Sequence, residues 1–189
     1  SLAINFKEDK SNIFIKNLEI ASHVANDIFN DTNFPDLNGD LLINCLESFK
    51  MPPGRGEIFS LNNFKIIDDS YNANPESVKA ALDHLSGFKE CRKFFVFGDM
   101  KELGANEEIL HKKVGQYAVG KTDILLTVGK LAKNAQSNSN NFALSLHFND
   151  NLSLLEKLNE LLTDGDIVLI KGSRSMQLDQ LINELKNVE

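Results

Sequence analysis

Four short, largely apolar runs constrain the fold of this chain more than any other feature. They span residues 64–67, 94–97, 124–128 and 167–170. Runs of this length are typical of strands that are buried on both faces of a parallel sheet. Helical patterns lie between and after the runs, with apolar residues on one face, as in Val78, Ala81, Leu82 and Leu85. The alternation predicts an α/β fold, namely a Rossmann-like, doubly wound and mostly parallel sheet.

Polar residues follow the predicted strands. Asp68 to Pro75 follows the first, Gly98-Asp99-Met100 the second, and Lys171 to Ser175 the last. Right-handed crossovers place the ends of parallel strands at one edge of the sheet, which is where such sheets bind ligands. We therefore expect Asp69, Asp99 and Lys171 to share one crevice.

The segment Asp68 to Pro75 is the strongest candidate site. Asn74 is suited to cap a helix that has Pro75 in its first turn. Capping needs only one such residue, whereas this segment contains two Asp, two Asn and a Tyr. The excess of polar groups indicates a ligand site.

The segment Lys171-Gly172-Ser173-Arg174-Ser175 is a second candidate. Its two cations flank Gly and Ser at a predicted helix N-terminus, an arrangement that favours anions. An ordinary strand-to-helix turn remains the alternative. Asp99 likewise has two readings, since it either contributes to the site or caps the turn that follows it.

Residues 115–122 match the P-loop pattern of a glycine, four residues, then Gly120-Lys121-Thr122. A P-loop has a strand before it and a helix after it. Here a predicted helix precedes the pattern and a predicted strand follows at Ile124. We therefore interpret Gly120 as a helix C-cap and Lys121 as a cation near the negative end of the helix dipole.

Composition excludes several functions. The net charge of −7 argues against a nucleic-acid surface. Cys45 and Cys91 are isolated, which favours a reduced, cytoplasmic protein. The four histidines lie in no metal-ligand spacing, so we expect no metal site here, and His111 is interpreted as structural. No stretch reaches transmembrane length.

The chain is predicted to have two parts. Residues 1–52 form a short helical segment, with one helical face from Phe14 to Ile28 and a second helix over 40–49. Met51-Pro52-Pro53-Gly54 has the composition of a linker. Residues 53–189 then form the α/β domain, in which the Asn-rich run 137–141 is interpreted as a solvated loop.

Four motifs occur in order and carry a resemblance: 54–57 (GRGE), 68–75 (DDSYNANP), 98–104 (GDMKELG) and 171–176 (KGSRSM). Together they resemble the C-terminal domain of the Mur ligase family. The Tyr-Asn-Ala-Asn and Lys-Gly-Ser-Arg versions favour the members that join D-alanyl-D-alanine to UDP-N-acetylmuramoyl-tripeptide in peptidoglycan synthesis. Residues 1–52 would then be the end of the central ATPase domain of such a ligase.

The resemblance implies an ATP-dependent amide ligase that uses Mg²⁺ and acts as a cytoplasmic monomer. The tripeptide carboxylate is phosphorylated by ATP, and the amine of the dipeptide then attacks the acyl phosphate. The P-loop and the metal ligands would lie in the central domain, so this chain alone is expected to be inactive. Its C-terminal domain would close over the nucleotide and deliver the amino substrate.

The resemblance also implies roles for individual residues. Asp69 would contact ribose, and Arg55 ribose or phosphate. Asn72 and Asn74 would line the same pocket, and Asn12 matches an adenine-binding Asn weakly, because Ile15 stands where a second Asn is expected. The candidates for amino-substrate binding are Lys171, Ser173, Arg174 and Tyr71.

Two other functions remain open at this point. One is a Mur or folylpolyglutamate-type ligase with a different amino substrate. The other is a non-catalytic nucleotide-binding module, because a fold does not determine a function.

Overall fold

The computed structural model describes residues 20–25, 27, 44 and 52–187. The chain divides into two compact units, Ser1–Met51 and Pro52–Glu189. Residues 20–25 are helical. The rest of the helix predicted over 14–28, and nearly all of the helix predicted over 40–49, lie outside the described residues. The identity of residues 1–52 therefore stays a prediction.

The second unit is built on one mixed sheet. Its strands run in the order β1-β2-β6-β3-β4-β5, with β1 antiparallel to β2 and the other pairs parallel. This confirms the predicted, mostly parallel sheet. The strands are β1 (Glu57–Leu61), β2 (Phe64–Asp69), β3 (Lys93–Gly98), β4 (Ile124–Val128), β5 (Leu144–Phe148) and β6 (Ile167–Lys171).

Helices cover both faces of this sheet. The α-helices of this unit are α1 (Pro75–Gly87), α2 (Glu107–Ala118), α3 (Asn151–Leu161) and α4 (Leu178–Asn187). Short 3₁₀ turns span Gly104–Asn106 and Arg174–Met176, and a longer 3₁₀ segment spans Ala132–Asn141. The loop predicted over 137–141 is wrong as to structure, since these residues end the 3₁₀ segment, but none of them is buried and Ser137, Asn140 and Asn141 are exposed.

Each face of the sheet has its own core. On one face, α1, α2 and the 132–141 segment pack on Ile67, Phe95 and Leu125. On the other, α3 and α4 pack on Ile66, Val96 and Leu126. Adjacent residues of one strand thus enter opposite cores, as strand alternation requires. This arrangement explains why the central strands appear as apolar runs, and it confirms the doubly wound fold.

The edge strands β1 and β5 were not predicted. Their residues are mostly half-buried, and each strand carries polar side chains within it, such as Ser60 in β1 and His147 in β5. An edge strand needs less apolar surface than a central one, so its sequence signal is weaker.

Candidate active site

The carboxyl ends of the five parallel strands meet at one edge of the sheet. Their last residues on the α1 and α2 face form a row, because Asp69 pairs with Lys171, Lys171 with Phe97, Phe97 with Thr127, and Thr127 with His147. Asp69 and Lys171 are therefore direct neighbours on adjacent strands. Asp99 follows β3, the strand next to β6. The three residues lie at one edge of the sheet, as the parallel strands predict. That they share one crevice stays a prediction.

Asp69 and Lys171 form an ion pair. The Lys171 ammonium is 2% exposed and donates to Asp69 Oδ2 at 2.5 Å and to the carbonyl of Asn72 at 2.9 Å. Burial raises the pKa of Asp69, and the nearby charge of Lys171 opposes that shift. The positive charge of Lys171, expected to serve the amino substrate, is thus already paired within the domain.

Asp68 lies on the opposite side of β2, as the alternation of side chains predicts. Its Oδ1 accepts bonds from the amide of Ser70 at 3.1 Å and from the Ser70 hydroxyl at 2.6 Å. Asp68 therefore shapes the turn after β2, whereas Asp69 faces the ligand edge.

Tyr71 brings two arginines together. The ring is 42% exposed, with the guanidinium carbon of Arg55 4.1 Å from its centroid and that of Arg174 5.7 Å away. Arg174 also forms an ion pair with Asp179 at 3.2 Å. Two cations that are far apart in the sequence thus lie near one exposed ring. This arrangement is suited to a ligand with anionic groups.

The loop of Arg55 is fixed by its glycines. The carbonyl of Gly54 accepts the Tyr71 amide at 2.9 Å, and the Gly56 amide donates to the Asp68 carbonyl at 2.7 Å. Gly54 has φ +75°, and a Cβ there would lie 3.0 Å from the Tyr71 nitrogen. This close backbone approach holds Arg55 beside the site.

The predicted helix N-terminus at Ser173 and Arg174 is wrong. Arg174–Met176 is a single 3₁₀ turn, Gln177 has φ +52°, and α4 begins only at Leu178. The positive charge near this segment therefore comes from side chains and not from a helix dipole. Arg174 itself is 65% exposed.

The two asparagines of the Asp68 to Pro75 segment have different roles. Asn74 caps α1 in a capping box with Ser77, its Oδ1 accepting the Ser77 amide at 2.8 Å. Asn72 Oδ1 accepts the Ala73 amide at 2.8 Å. Both side chains therefore have structural partners, and their roles in nucleotide binding stay predictions. Asn12 lies outside the described residues.

Ser173 and Asp99 connect neighbouring loops. The buried hydroxyl of Ser173 accepts the Lys101 amide at 2.8 Å, and the Ser173 amide donates to the Asp99 carbonyl at 2.9 Å. Asp99 Oδ1 accepts the amides of Leu131 and Ala132 at 2.8 Å each, and its Oδ2 accepts the Lys101 ammonium at 2.9 Å. Asp99 therefore caps the segment after β4 and not its own turn. The sequence analysis did not single out Lys101 as a partner of Asp99 and Ser173, although Lys101 lies within the quoted motif 98–104.

His111 is structural, as predicted. Its Nε2 accepts the Met100 amide at 2.8 Å, so Nδ1 carries the hydrogen and donates to the Glu107 carbonyl at 2.6 Å. Burial lowers the pKa of this imidazole, which favours its neutral form. The ring thus holds the loop after β3 through its hydrogen bond to the Met100 amide.

The family model for the Mur ligase, glutamate ligase domain, matches residues 54–174. This match includes Arg55, Asp69, Tyr71, Lys171 and Arg174, and it ends before Gln177 and Asp179. The chain belongs to the Mur ligase family.

Curated relatives include Mur ligases named UDP-N-acetylmuramoyl-tripeptide–D-alanyl-D-alanine ligase. The one from Rickettsia prowazekii is 32% identical over 169 residues, which is 87% of this chain and 37% of that protein. The one from Escherichia coli is 35% identical over 147 residues, covering 75% and 31%. The chain thus spans about a third of the length of these relatives.

Solved Mur ligases have the same fold. The MurF ligase from Thermotoga maritima in complex with ADP is 27% identical with a TM-score of 0.68, over 77% of this chain and 33% of that one. A MurF structure from Acinetobacter baumannii is 25% identical with a TM-score of 0.72, over 80% and 34%. A folylpolyglutamate synthase from Thermotoga maritima is 17% identical with a TM-score of 0.55, over 81% of this chain and 35% of that one, and so shares the fold alone.

The P-loop pattern of this Mur ligase domain is not a phosphate site. Its first four residues, 115–118, are the end of helix α2, and β4 follows it, so the order of helix and then strand is the one predicted. Gly120 has φ +75° just after α2, and the Lys121 ammonium pairs with Asp83 at 2.7 Å. The Thr122 hydroxyl donates to the Lys93 carbonyl at 2.7 Å. These residues are accounted for by helix termination and packing.

The described residues of the Mur ligase chain contain no group of three or more His, Cys, Asp or Glu side chains placed to hold a metal ion. They also contain no helix long and apolar enough to cross a membrane.

Proposed function

We propose that this chain is the C-terminal part of an ATP-dependent ligase that joins D-alanyl-D-alanine to UDP-N-acetylmuramoyl-tripeptide in peptidoglycan synthesis. The observation that carries the proposal is the edge formed by Asp69, Lys171, Tyr71, Arg55 and Arg174, which the family match encloses. The curated relatives are named for this reaction. ADP is present in one of the similar MurF structures, which supports nucleotide use.

The chemistry needs charge stabilisation more than covalent participation by the protein. ATP transfers a phosphoryl group to the tripeptide carboxylate, and the dipeptide amine displaces phosphate to form the amide bond. Asp69 accepts hydrogen bonds from the ribose hydroxyls, because an ionised carboxylate has two acceptor oxygens and no donor. Arg55 lies beside it and neutralises phosphate charge. Arg174 is the best-placed of the proposed ligands for the dipeptide carboxylate, since its guanidinium is exposed at the edge.

The remaining parts of the ligase are assigned by proposal. Residues 1–52 form the end of the central ATPase domain, which supplies the P-loop and the residues that hold Mg²⁺. We propose that the complete enzyme acts in the cytoplasm, because ATP and UDP-linked substrates are found there, and that it acts as a monomer. We expect the 189-residue chain alone to release no phosphate with both substrates present.

Asp69→Asn in the complete ligase is expected to lower kcat/KM for ATP by about 1–3 kcal/mol, or roughly 5- to 150-fold. The amide keeps the shape of the carboxylate but loses the charge that strengthens its bonds to ribose hydroxyls. Steady-state kinetics with ATP varied, at saturating tripeptide and dipeptide, measure the effect. The control Asp164→Asn changes an exposed carboxylate that accepts a bond from Asn63 at 3.0 Å, and we expect no change in kinetics. Equal rates for both variants would remove Asp69 from the nucleotide site.

Arg174→Lys is expected to raise KM for D-alanyl-D-alanine at least about tenfold, or roughly 1.4 kcal/mol, while KM for ATP moves little. A guanidinium binds a carboxylate through two parallel bonds that an ammonium cannot reproduce. Each substrate is varied in turn, beside a melting curve. A change in all three Michaelis constants, together with a lower melting temperature, would instead assign Arg174 to bracing the turn through Asp179.

A further inference from the structure

The strongest unassigned feature of the edge is the buried ammonium of Lys171. Lys171 is the last residue of β6. Its two hydrogen bonds both go to the segment 69–72, which contains the last residue of β2 and the turn after it. One bond holds the side chain of Asp69 and the other holds the backbone of Asn72. An ammonium has three donors, and two of them are committed to this segment.

The bond pattern leaves one carboxylate oxygen for a ligand. Lys171 engages Oδ2 of Asp69, and within residues 52–187 no hydrogen bond reaches Oδ1. The Asp69 side chain is 22% exposed, against 2% for Lys171. Lys171 is therefore beneath the carboxylate, which in turn lies between Lys171 and the solvent-facing edge.

We propose that Lys171 is a positioning residue, which acts on the nucleotide through Asp69 and does not bind the amino substrate. The inference rests on the proposed function, in which Asp69 contacts the nucleotide. It replaces the expectation that the charge of Lys171 anchors the dipeptide carboxylate. A cation that is 2% exposed and already paired would have to break its pair with Asp69 to bind a second carboxylate.

The same contact joins two loops. Lys171 is followed directly by the turn that carries Ser173 and Arg174, and its side chain fixes the loop that carries Tyr71. The guanidinium carbon of Arg174 lies 5.7 Å from the centroid of the Tyr71 ring. This contact does not involve the Lys171 side chain, so removing the charge of Lys171 should affect the dipeptide site less than the nucleotide site.

A double-mutant cycle in the complete ligase tests the proposal. Lys171→Met keeps the length of the side chain and removes its charge. We expect it to lower kcat/KM for ATP at least about tenfold, with KM for the dipeptide changed less than about twofold, because the lost interaction acts through Asp69. In an Asp69→Asn background, Lys171→Met should have less than about a twofold further effect, since coupled residues are not additive.

A pH profile separates positioning from simple bracing. The charged groups whose electrostatic interaction shifts the pKa of Asp69 are Lys171, Asp68 and Arg55. Without Lys171, burial and Asp68 raise the pKa of Asp69 further, and Arg55 alone opposes them. The acidic limb of kcat/KM for ATP should therefore move to higher pH in Lys171→Met. In Lys171→Arg, which keeps the positive charge, the limb should stay near that of the wild type.

The control is Lys157→Met, which removes a surface lysine paired with Glu160 at 2.7 Å and should leave all kinetic constants unchanged. If Lys171→Met does not fold, the cycle is run with Lys171→Arg and Lys171→Gln, and cancellation in the Asp69→Asn background supports the proposal in the same way. Additive losses, or a raised dipeptide KM with an unchanged ATP constant, would overturn it. An Asp69→Asn variant with wild-type kinetics would instead overturn the nucleotide site on which the proposal rests.

Discussion

Gly115→Ala is expected to lower the free energy of unfolding by roughly 3 kcal/mol, although alanine is the better helix former. Gly115 lies in α2 where the helix meets the 132–141 segment. A Cβ at this position would overlap the carbonyl oxygen of Ala135 and would lie 2.7 Å from its Cα. Because the obstacle is backbone, α2 and the 132–141 segment must move apart. Val114 and Ala118 then lose part of their packing in the core.

Urea denaturation of the chain measures this loss, and a thermal scan should show a fall of about 2–4 °C per kcal/mol. The matched control is Gly87→Ala at the last residue of α1, where an added Cβ meets nothing within 4 Å. That variant should be unchanged or slightly more stable. If both variants behave alike, α2 and the 132–141 segment do not approach as closely as described.

The same glycine shows what the sequence predicts and what it does not. The order of helix and strand around residues 115–122 is a local pattern, so the P-loop reading was excluded from the sequence alone. The reason for Gly115 is a contact with Ala135, 20 positions away, and local patterns contain no information about such contacts. The two glycines of the P-loop-like pattern therefore meet two independent requirements, close packing at Gly115 and helix termination at Gly120.

The fold was largely predictable because its central strands are buried on both faces. Double burial gives β3, β4 and β6 continuous apolar runs, and α1, α2 and α4 have clear apolar faces. The strands β1 and β5 and the helix α3 were not assigned. For the two strands, the reason is that edge strands are half-buried and contain polar residues.

The site was predictable in position but not in pairing. The rule that parallel strands end at one edge was enough to bring Asp69, Asp99 and Lys171 together. It could not show that Lys171 is paired with Asp69, 102 positions away, or that Ser173 has a structural partner. The capping role of Asn74, which depends on neighbouring residues, was predicted and is confirmed. Residue type alone made Lys171, Ser173 and Arg174 equivalent candidates, and only burial and hydrogen bonds distinguish them.

Asp99→Ala is expected to lower the free energy of unfolding by about 3–5 kcal/mol, since it leaves two buried donors without an acceptor. The carboxylate is buried and accepts the amides of Leu131 and Ala132 through one oxygen and the Lys101 ammonium through the other. Each unsatisfied amide costs about 1–3 kcal/mol, and the lost ion pair with Lys101 adds to this. Gly129 allows its loop to lie close to this carboxylate, because a Cβ there would lie 2.6 Å from Asp99 Oδ1.

Urea denaturation compares Asp99→Ala with Asp164→Ala, the same change at an exposed aspartate whose Oδ2 accepts a side-chain bond from Asn63. The control should lose less than about 0.5 kcal/mol. Asp99→Asn separates the two contributions, because its remaining carbonyl oxygen still accepts both amides while its amide group no longer pairs with Lys101. We expect a loss of about 1–2 kcal/mol for this variant. If Asp99→Ala were as mild as its control, the loops after β3 and β4 would be held by other contacts. The carboxylate would then be free to serve the ligand edge, which is the reading that the hydrogen bonds to Leu131 and Ala132 now argue against.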